Sequence, residues 1–195
     1  MINAQRNDIS TLIKILTPPF STNQSVNRCV KQDHRRLQRI ANQVRYVSRI
    51  SVRNKMAFIN TTKTGVVLCN LSNGSKATIR DNLFFLFQVS GLKLGLQLMK
   101  REKLLKQIHP KTNYCHLWFI GVDKDSQGKG IGSKMIEYIK QICQEKTLPI
   151  YLETSNPRNF EFYEKNGFTL YKKMKLPMDD FELYFYSWHP LSKKE

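Results

Sequence analysis

The stretch that most constrains this chain is His116–Ser133, HLWFIGVDKDSQGKGIGS. The compact apolar run His116–Val122 suits a strand, and Ile131, Met135, Ile136, Ile139, Ile142 and Cys143 then recur at helical spacing through Glu145. Between them lies a polar loop in which Gly128, Gly130 and Gly132 fall close together. The chain must pass from strand to helix through a turn whose backbone can take positive φ and approach a neighbour closely. Successive N–H groups of such a turn, with the free N–H groups of the helix's first turn, can converge on one anion. Lys129 and Lys134 stand near enough to add charge. A diphosphate cradle fits this pattern, and so does a plain connecting turn. Two familiar nucleotide loops do not fit. A Walker loop needs Lys then Ser or Thr after its second glycine, whereas Ile131 follows Gly130; in the dinucleotide fingerprint the last glycine comes one residue later than Gly132.

The flanking sequence supplies a sheet and helices around that junction. Asp8–Leu16 suits a short helix that Pro18-Pro19 stops. From Ser25 to Lys55, Val26, Val30, Leu37, Ile40, Val44, Val47 and Ile50 lie along one helical face, as one long helix or two with a break. Met56–Asn60 and Gly65–Leu71 read as strands joined by a polar turn. Leu83–Ile108 is leucine-rich and interrupted by Gly91 and Gly95, so it is one broken helix or two, ending before His109-Pro110. Pro149–Thr154 is a further strand. The next helix is punctuated by Asn156 as its N-cap, Pro157 at its first position and Gly167 at its end. Phe168–Met174 and Phe181–Trp188 are the last strands.

Charge is distributed unevenly. Residues 1–100 carry 16 Lys/Arg against three acids, and residues 101–195 carry 16 against 12. That asymmetry marks either an anionic partner or a solvated basic helix face. Cys29, Cys69, Cys115 and Cys143 are isolated, so neither a zinc pair nor a disulfide scaffold is expected. No His/Cys/Asp cluster in the sequence demands a metal. No apolar run reaches the ~18 residues of a membrane span, and Met1–Ser10 lacks a signal-peptide core. The expectation is a cytoplasmic protein with no membrane partner.

Gln127-x-x-Gly130-x-Gly132 resembles the Q/R-x-x-G-x-G/A loop of the GNAT superfamily of acyl-CoA-dependent N-acyltransferases. Asn156-Pro-Arg-Asn159-Phe-Glu-Phe-Tyr163-Glu-Lys-Asn-Gly167-Phe168 resembles that family's Asn…Tyr-Glu-Lys-x-Gly-Phe helix. Both motifs lie within residues 116–171. The surrounding His109-Pro110-Lys111…His116-Leu-Trp-Phe-Ile-Gly-Val is similar to the branch that includes puromycin N-acetyltransferase. Residues 1–55 match no family pattern.

The resemblance implies an α/β (α+β) GNAT fold: a mixed, mostly antiparallel sheet flanked by helices and splayed where the cofactor enters. It implies one domain over 1–195, with 1–110 on the acceptor side and 111–195 holding acetyl-CoA. The backbone of Ile120, Gly121 and Val122 would pair with the pantetheine arm. The loop from Gln127 through Gly128, Lys129, Gly130, Ile131, Gly132 and Ser133 would hold the diphosphate. Asn156 and Asn159 would contact the cofactor, although Asn156 also suits a cap. Tyr163 matches the family's general acid for the departing thiolate, and it could instead be a packed aromatic beside Phe160, Phe162 and Phe168. Glu153 is the best general-base candidate, with His116 and Tyr151 as alternatives. The spacing of Glu153 from Tyr163 differs from the one common in relatives.

The implied function is direct acetyl transfer from acetyl-CoA to a primary amine of a small molecule, with no metal or nucleophilic residue. Three rivals remain: a protein N-terminal or lysine acetyltransferase, a basic RNA- or nucleic-acid-binding module using residues 28–55, and a domain that binds CoA without turnover. A monomer or homodimer is expected.

Overall fold

A computed structural model describes residues 1–191. A seven-stranded sheet runs in the order β1-β2-β3-β4-β5-β7-β6. Its strands are β1 (Ile2–Asn3), β2 (Ala57–Ile59), β3 (Gly65–Leu71), β4 (Cys115–Val122), β5 (Ile150–Thr154), β6 (Thr169–Lys175) and β7 (Glu182–Trp188). All neighbours are antiparallel except β4 and β5. The helices are α1 (Ile9–Phe20), α2 (Gln24–Cys29), α3 (Arg36–Arg53), α4 (Ile79–Phe85), α5 (Leu92–Ile108), α6 (Ile131–Glu145) and α7 (Phe160–Lys165). The expected mixed, mostly antiparallel sheet with flanking helices is the fold observed.

Alternation along β2 and β3 divides the core between the two sheet faces. Ile59, Val66 and Leu68 join Leu12, Leu16, Ile40 and Val44 of α1 and α3. Phe58, Val67 and Cys69 join Met135, Ile136 and Ile139 of α6. A third cluster sets Leu104, Leu105 and Ile108 of α5 on Leu176, Phe181, Leu183 and Phe185.

The order of β4 against β3 carries one irregularity that shapes the centre of the molecule. Leu68 faces Phe119 and Cys69 faces Leu117, so Trp118 is an extra residue on β4. Such a bulge inverts the alternation and bends the strand. Cys115 and Leu117 point to the α6 side, whereas Phe119 points to the α1 side. The parallel pairing of β4 with β5 covers only Cys115↔Ile150 and His116↔Tyr151, and stops just before the bulge. Beyond it the two strands diverge, as a splayed sheet requires.

Two local expectations are corrected, and one element is new. Helix α1 does not stop at Leu16 but continues through Pro18 and Pro19 to Phe20. Proline φ suits a helix, although each proline forgoes one i→i−4 hydrogen bond; the Phe20 ring rests on Phe119 with centroids 4.3 Å apart. Leu37 is 57% exposed although it lies on the same stripe of α3 as buried Ile40, because it stands in the first turn of the helix, at the edge of the packed region. The two-residue strand β1 was not foreseen; it is tied to β2 by register pairing and by the Ala4 N–H donating to the Ala57 carbonyl at 2.9 Å.

A buried ion pair ties the helices to the far half of the sheet. Asp179, in the β6–β7 turn, is fully buried at its side chain, accepts from Arg101 Nε at 3.0 Å and forms an ion pair with the Arg101 NH2 group at 3.0 Å. Arg28 of α2 lies 3.5 Å from the same carboxylate. Arg101 also donates to Ser25 Oγ at 3.2 Å, and the Ser25 N–H donates to Ser155 Oγ at 3.3 Å. Removing one partner strands a buried charge. Arg101→Met is therefore expected to lower unfolding stability by about 3 kcal/mol, read by urea denaturation; a change under about 0.5 kcal/mol would show that the pair is replaceable.

Candidate active site

The loop expected to bind an anion turns through two glycines at positive φ. Gly128 and Gly130 sit at φ +76° and +72°, a region that disfavours side chains. A Cβ at either would meet nothing within 4 Å, so backbone conformation, not crowding, calls for glycine. Gly130 is the N-cap of α6 and offers no side-chain cap. The first helical hydrogen bond is Lys134 N–H to the Gly130 carbonyl, at 3.1 Å. The N–H groups of Ile131, Gly132 and Ser133 thus lie at an open, uncapped helix start.

The other loop residues have different uses. Gln127 donates its side-chain amide to the Val122 carbonyl at 3.1 Å, folding the loop back on the strand. Lys129 donates to the Asp125 carbonyl at 2.9 Å. A Cβ on Gly132 would lie 3.1 Å from Phe162, so this glycine lets α7 close on the first turn of α6. Ser133 Oγ accepts from Asn166 at 3.2 Å. Gly121 serves close packing too, since a Cβ there would lie 2.8 Å from Leu16 of α1.

Asn156 caps the turn before α7, accepting the Arg158 N–H at 3.2 Å, as its position suggests. Asn159 contacts Thr154 Oγ1 at 3.4 Å. Tyr163 is buried between Phe168 and Tyr186 on the α6 side. Burial, and then the Glu153 charge, pushes the phenol well above its ordinary range, so it stays protonated.

Glu153 lies on the opposite face of β5. Ile150 and Leu152 join the α6-side cluster, which turns Tyr151 and Glu153 the other way. There Glu153 is held by two histidines. Oε2 meets His116 Nε2 at 2.8 Å, and Oε1 makes a short contact with His109 Nε2. Tyr171 Oη lies 3.5 Å from His109 Nδ1. Rings of Tyr114, Tyr151 and Tyr171 surround the group, with Tyr114 and Tyr171 centroids 5.3 and 5.5 Å from Tyr151. Burial works against the Glu153 charge, but His116 and His109 outweigh it and hold the carboxyl well below the usual range. Burial likewise disfavours charged His116, yet Glu153 wins and raises its pKa.

His109 is the site residue that strand patterns missed, because it sits past the end of α5 and reaches Glu153 only through the fold; the His109-Pro110 similarity was the available signal. The three donor atoms lie within 4.8 Å of one another, a cluster of metal-ligand types that sequence spacing did not show. Each carboxylate oxygen here meets a histidine Nε2, so hydrogen bonding alone satisfies the set. The cysteines are free, and Cys69, Cys115 and Cys143 are buried in the α6-side cluster. The Cys115 thiol and burial push the Cys143 thiol up, away from reactivity.

The pair has a definite pH signature. Raised His116 stabilises the fold fully below its unfolded pKa near 6.5, and this is lost as pH rises through the folded value; depressed Glu153 stabilises above 4.5 and is lost as pH falls. Stability from the pair should peak between about pH 5 and 6. In Glu153→Gln the decline above neutrality should flatten and the His116 NMR titration should move below the wild-type value. An unmoved His116 titration would contradict the assigned contact.

Residues 96–168 match the acetyltransferase (GNAT) family. An uncharacterized N-acetyltransferase of Schizosaccharomyces pombe is 41% identical over 68 residues, covering 33% of this chain and 28% of that protein. A 5-NmdU N-acetyltransferase of Pseudomonas phage PaMx11 is 35% identical over 54 residues, covering 28% of this chain and 39% of the relative. The chain thus spans well under half the length of either curated relative. The crystal structure of a histone acetyltransferase HPA2 and related acetyltransferase from Corynebacterium glutamicum superposes over 100% of this chain and 97% of that one, with TM-score 0.68 and 15% identity. The chain thus matches the acetyltransferase (GNAT) family in sequence over residues 96–168 and shares the fold of the Corynebacterium glutamicum structure over its whole length.

Proposed function

We propose that this protein is an N-acetyltransferase that moves an acetyl group from acetyl-CoA directly to the primary amine of a small molecule. The observation that carries this reading is the opening between β4 and β5, with an uncapped helix start at one side and a partly buried His–Glu–His group at the other. The N–H groups at Gly128–Ser133 suit a diphosphate. The free edge of β4 at Ile120, Gly121 and Val122 suits a pantetheine arm laid as an extra strand. The side-chain amides of Asn156 and Asn159 suit further contacts to the cosubstrate.

The chemistry divides between two groups. Tyr163, kept protonated by burial, supplies a proton to the CoA thiolate as the carbon–sulfur bond breaks. The base candidate Glu153 acts together with His116. A carboxylate held so far below its ordinary range is a weak proton acceptor. It orients the imidazole instead and stabilises the positive charge that forms when His116 takes the proton of the attacking amine, directly or through water. The aromatic walls around Glu153 favour a compact acceptor over an extended peptide. The phage relative, named as an N-acetyltransferase of 5-NmdU, and the similarity of residues 109–122 to the puromycin N-acetyltransferase branch support a small-molecule amine.

Acetyl-CoA at ~100 times its Kd should stabilise the native fold by about 2.7 kcal/mol, a rise in Tm of roughly 5–10 °C for a chain of this size. Tyr163→Phe should keep that rise while turnover of a small-amine panel, followed by thiol release, falls by ~10²-fold or more. Loss of both together would remove the acid role. Turnover of N-terminal or lysine peptides in place of small amines would move the acceptor class to protein.

A further inference from the structure

Helix α5 has two apolar faces, and packing uses only one. Leu104, Leu105 and Ile108 lie against the Leu176–Phe185 cluster, and Arg101 reaches in to Asp179. On the other side Leu92, Leu96 and Met99 follow at steps of four and three, 66, 66 and 71% exposed. The helical segment before it repeats the pattern: Ile79, Leu83 and Phe87 are four apart and 78, 49 and 60% exposed. Large apolar side chains in solvent along two successive helical stripes exceed the scattered singles of an ordinary surface.

What surrounds the α5 stripe indicates what covers it. Lys93, Lys100, Lys103 and Lys106 flank it and are all exposed. Among the described residues, only Lys106 of the four meets a carboxylate, that of Glu102. A second copy of this chain would set those lysines against one another, and its net charge of +17 would oppose the approach. An apolar stripe fringed by cations complements a surface that is anionic outside and apolar beneath.

We propose that the exposed face of α5 docks the protein in the plane of a membrane surface bearing acidic phospholipid. The expectation of no membrane partner came from the lack of a spanning segment, and no helix among the described residues is long and apolar enough to cross a membrane. A surface helix needs neither length nor all-round hydrophobicity.

Co-sedimentation with vesicles tests this. The full chain should pellet with phosphatidylcholine vesicles containing phosphatidylserine, remain in solution with phosphatidylcholine alone, and bind more weakly as salt is added. Replacing Lys93, Lys100 and Lys103 by Gln should weaken binding by roughly fivefold per lysine. The triple variant Leu92→Glu, Leu96→Glu, Met99→Glu should remain soluble with either vesicle; its fold is checked by an unchanged melting curve, as expected at exposed positions. The milder Leu92→Ala, Leu96→Ala variant should lose part of the affinity, which purely electrostatic adsorption would not. Wild-type protein left in the supernatant with acidic vesicles, or a glutamate variant that binds as well as wild type, overturns the proposal. A dimer in sedimentation equilibrium that the same glutamates disperse would assign the face to a second copy, and overturns it equally.

Discussion

The extra residue at Trp118 is the constraint around which the molecule is arranged. Without it, β4 would carry one alternation along its length and pair with β5 beyond the two contacts at Cys115 and His116. The bulge turns Phe119 toward α1 and bends the strand away. An opening in mid-sheet would ordinarily be costly, because it leaves backbone groups without ladder partners. The sheet tolerates it because each half has its own support. Strands β1–β4 rest on α1 and α3, and β7 with the β6–β7 turn rests on α5, while α6 spans both halves from the other face. The two halves are then tied again at the open end by Arg101, Asp179, Ser25 and Ser155.

That opening brings together chemistry placed on opposite sides of the sheet. The pleat sends Leu152 to the α6 side and Glu153 to the other, so Glu153 meets His116 and His109 rather than the phenol of Tyr163. Tyr163 lies within reach of the Glu153 field but not in hydrogen-bond contact with it. A protonated phenol and a charge-holding carboxylate can thus coexist without one neutralising the other. The proposed acyl transfer calls for such a separation of acid and base.

Much of this was legible in the sequence where the signal is local. The glycine loop, the start of α6 at Ile131, the Asn156 cap and the strands at 65–71 and 182–188 follow from turn chemistry and period. The failures are long-range. HLWFIGV is apolar almost throughout, so no alternation betrays which residue is the bulge. Pro18-Pro19 reads as a stop because the sequence does not show Phe20 meeting Phe119. Leu37 fits the period of the helix yet is exposed, because period does not show where along α3 the packing begins. His109 reaches Glu153 from 44 residues away, a contact no spacing rule encodes.

The leucine-rich stretch 92–108 shows the same limit from another side. Its apolar residues divide between an inward face that holds the third core cluster and an outward one that meets solvent, so no single amphipathic direction stands out. Arg101 is among the inward-directed residues, although arginine is a residue type expected outside. Its burial follows from Asp179: a carboxylate enclosed by the β6–β7 turn requires a cation, and α5 passes where it can supply one. The orientation of α5 is thereby fixed by one charge pair as much as by its leucines. With Arg101 turned in, Leu92, Leu96 and Met99 have nowhere to go but out.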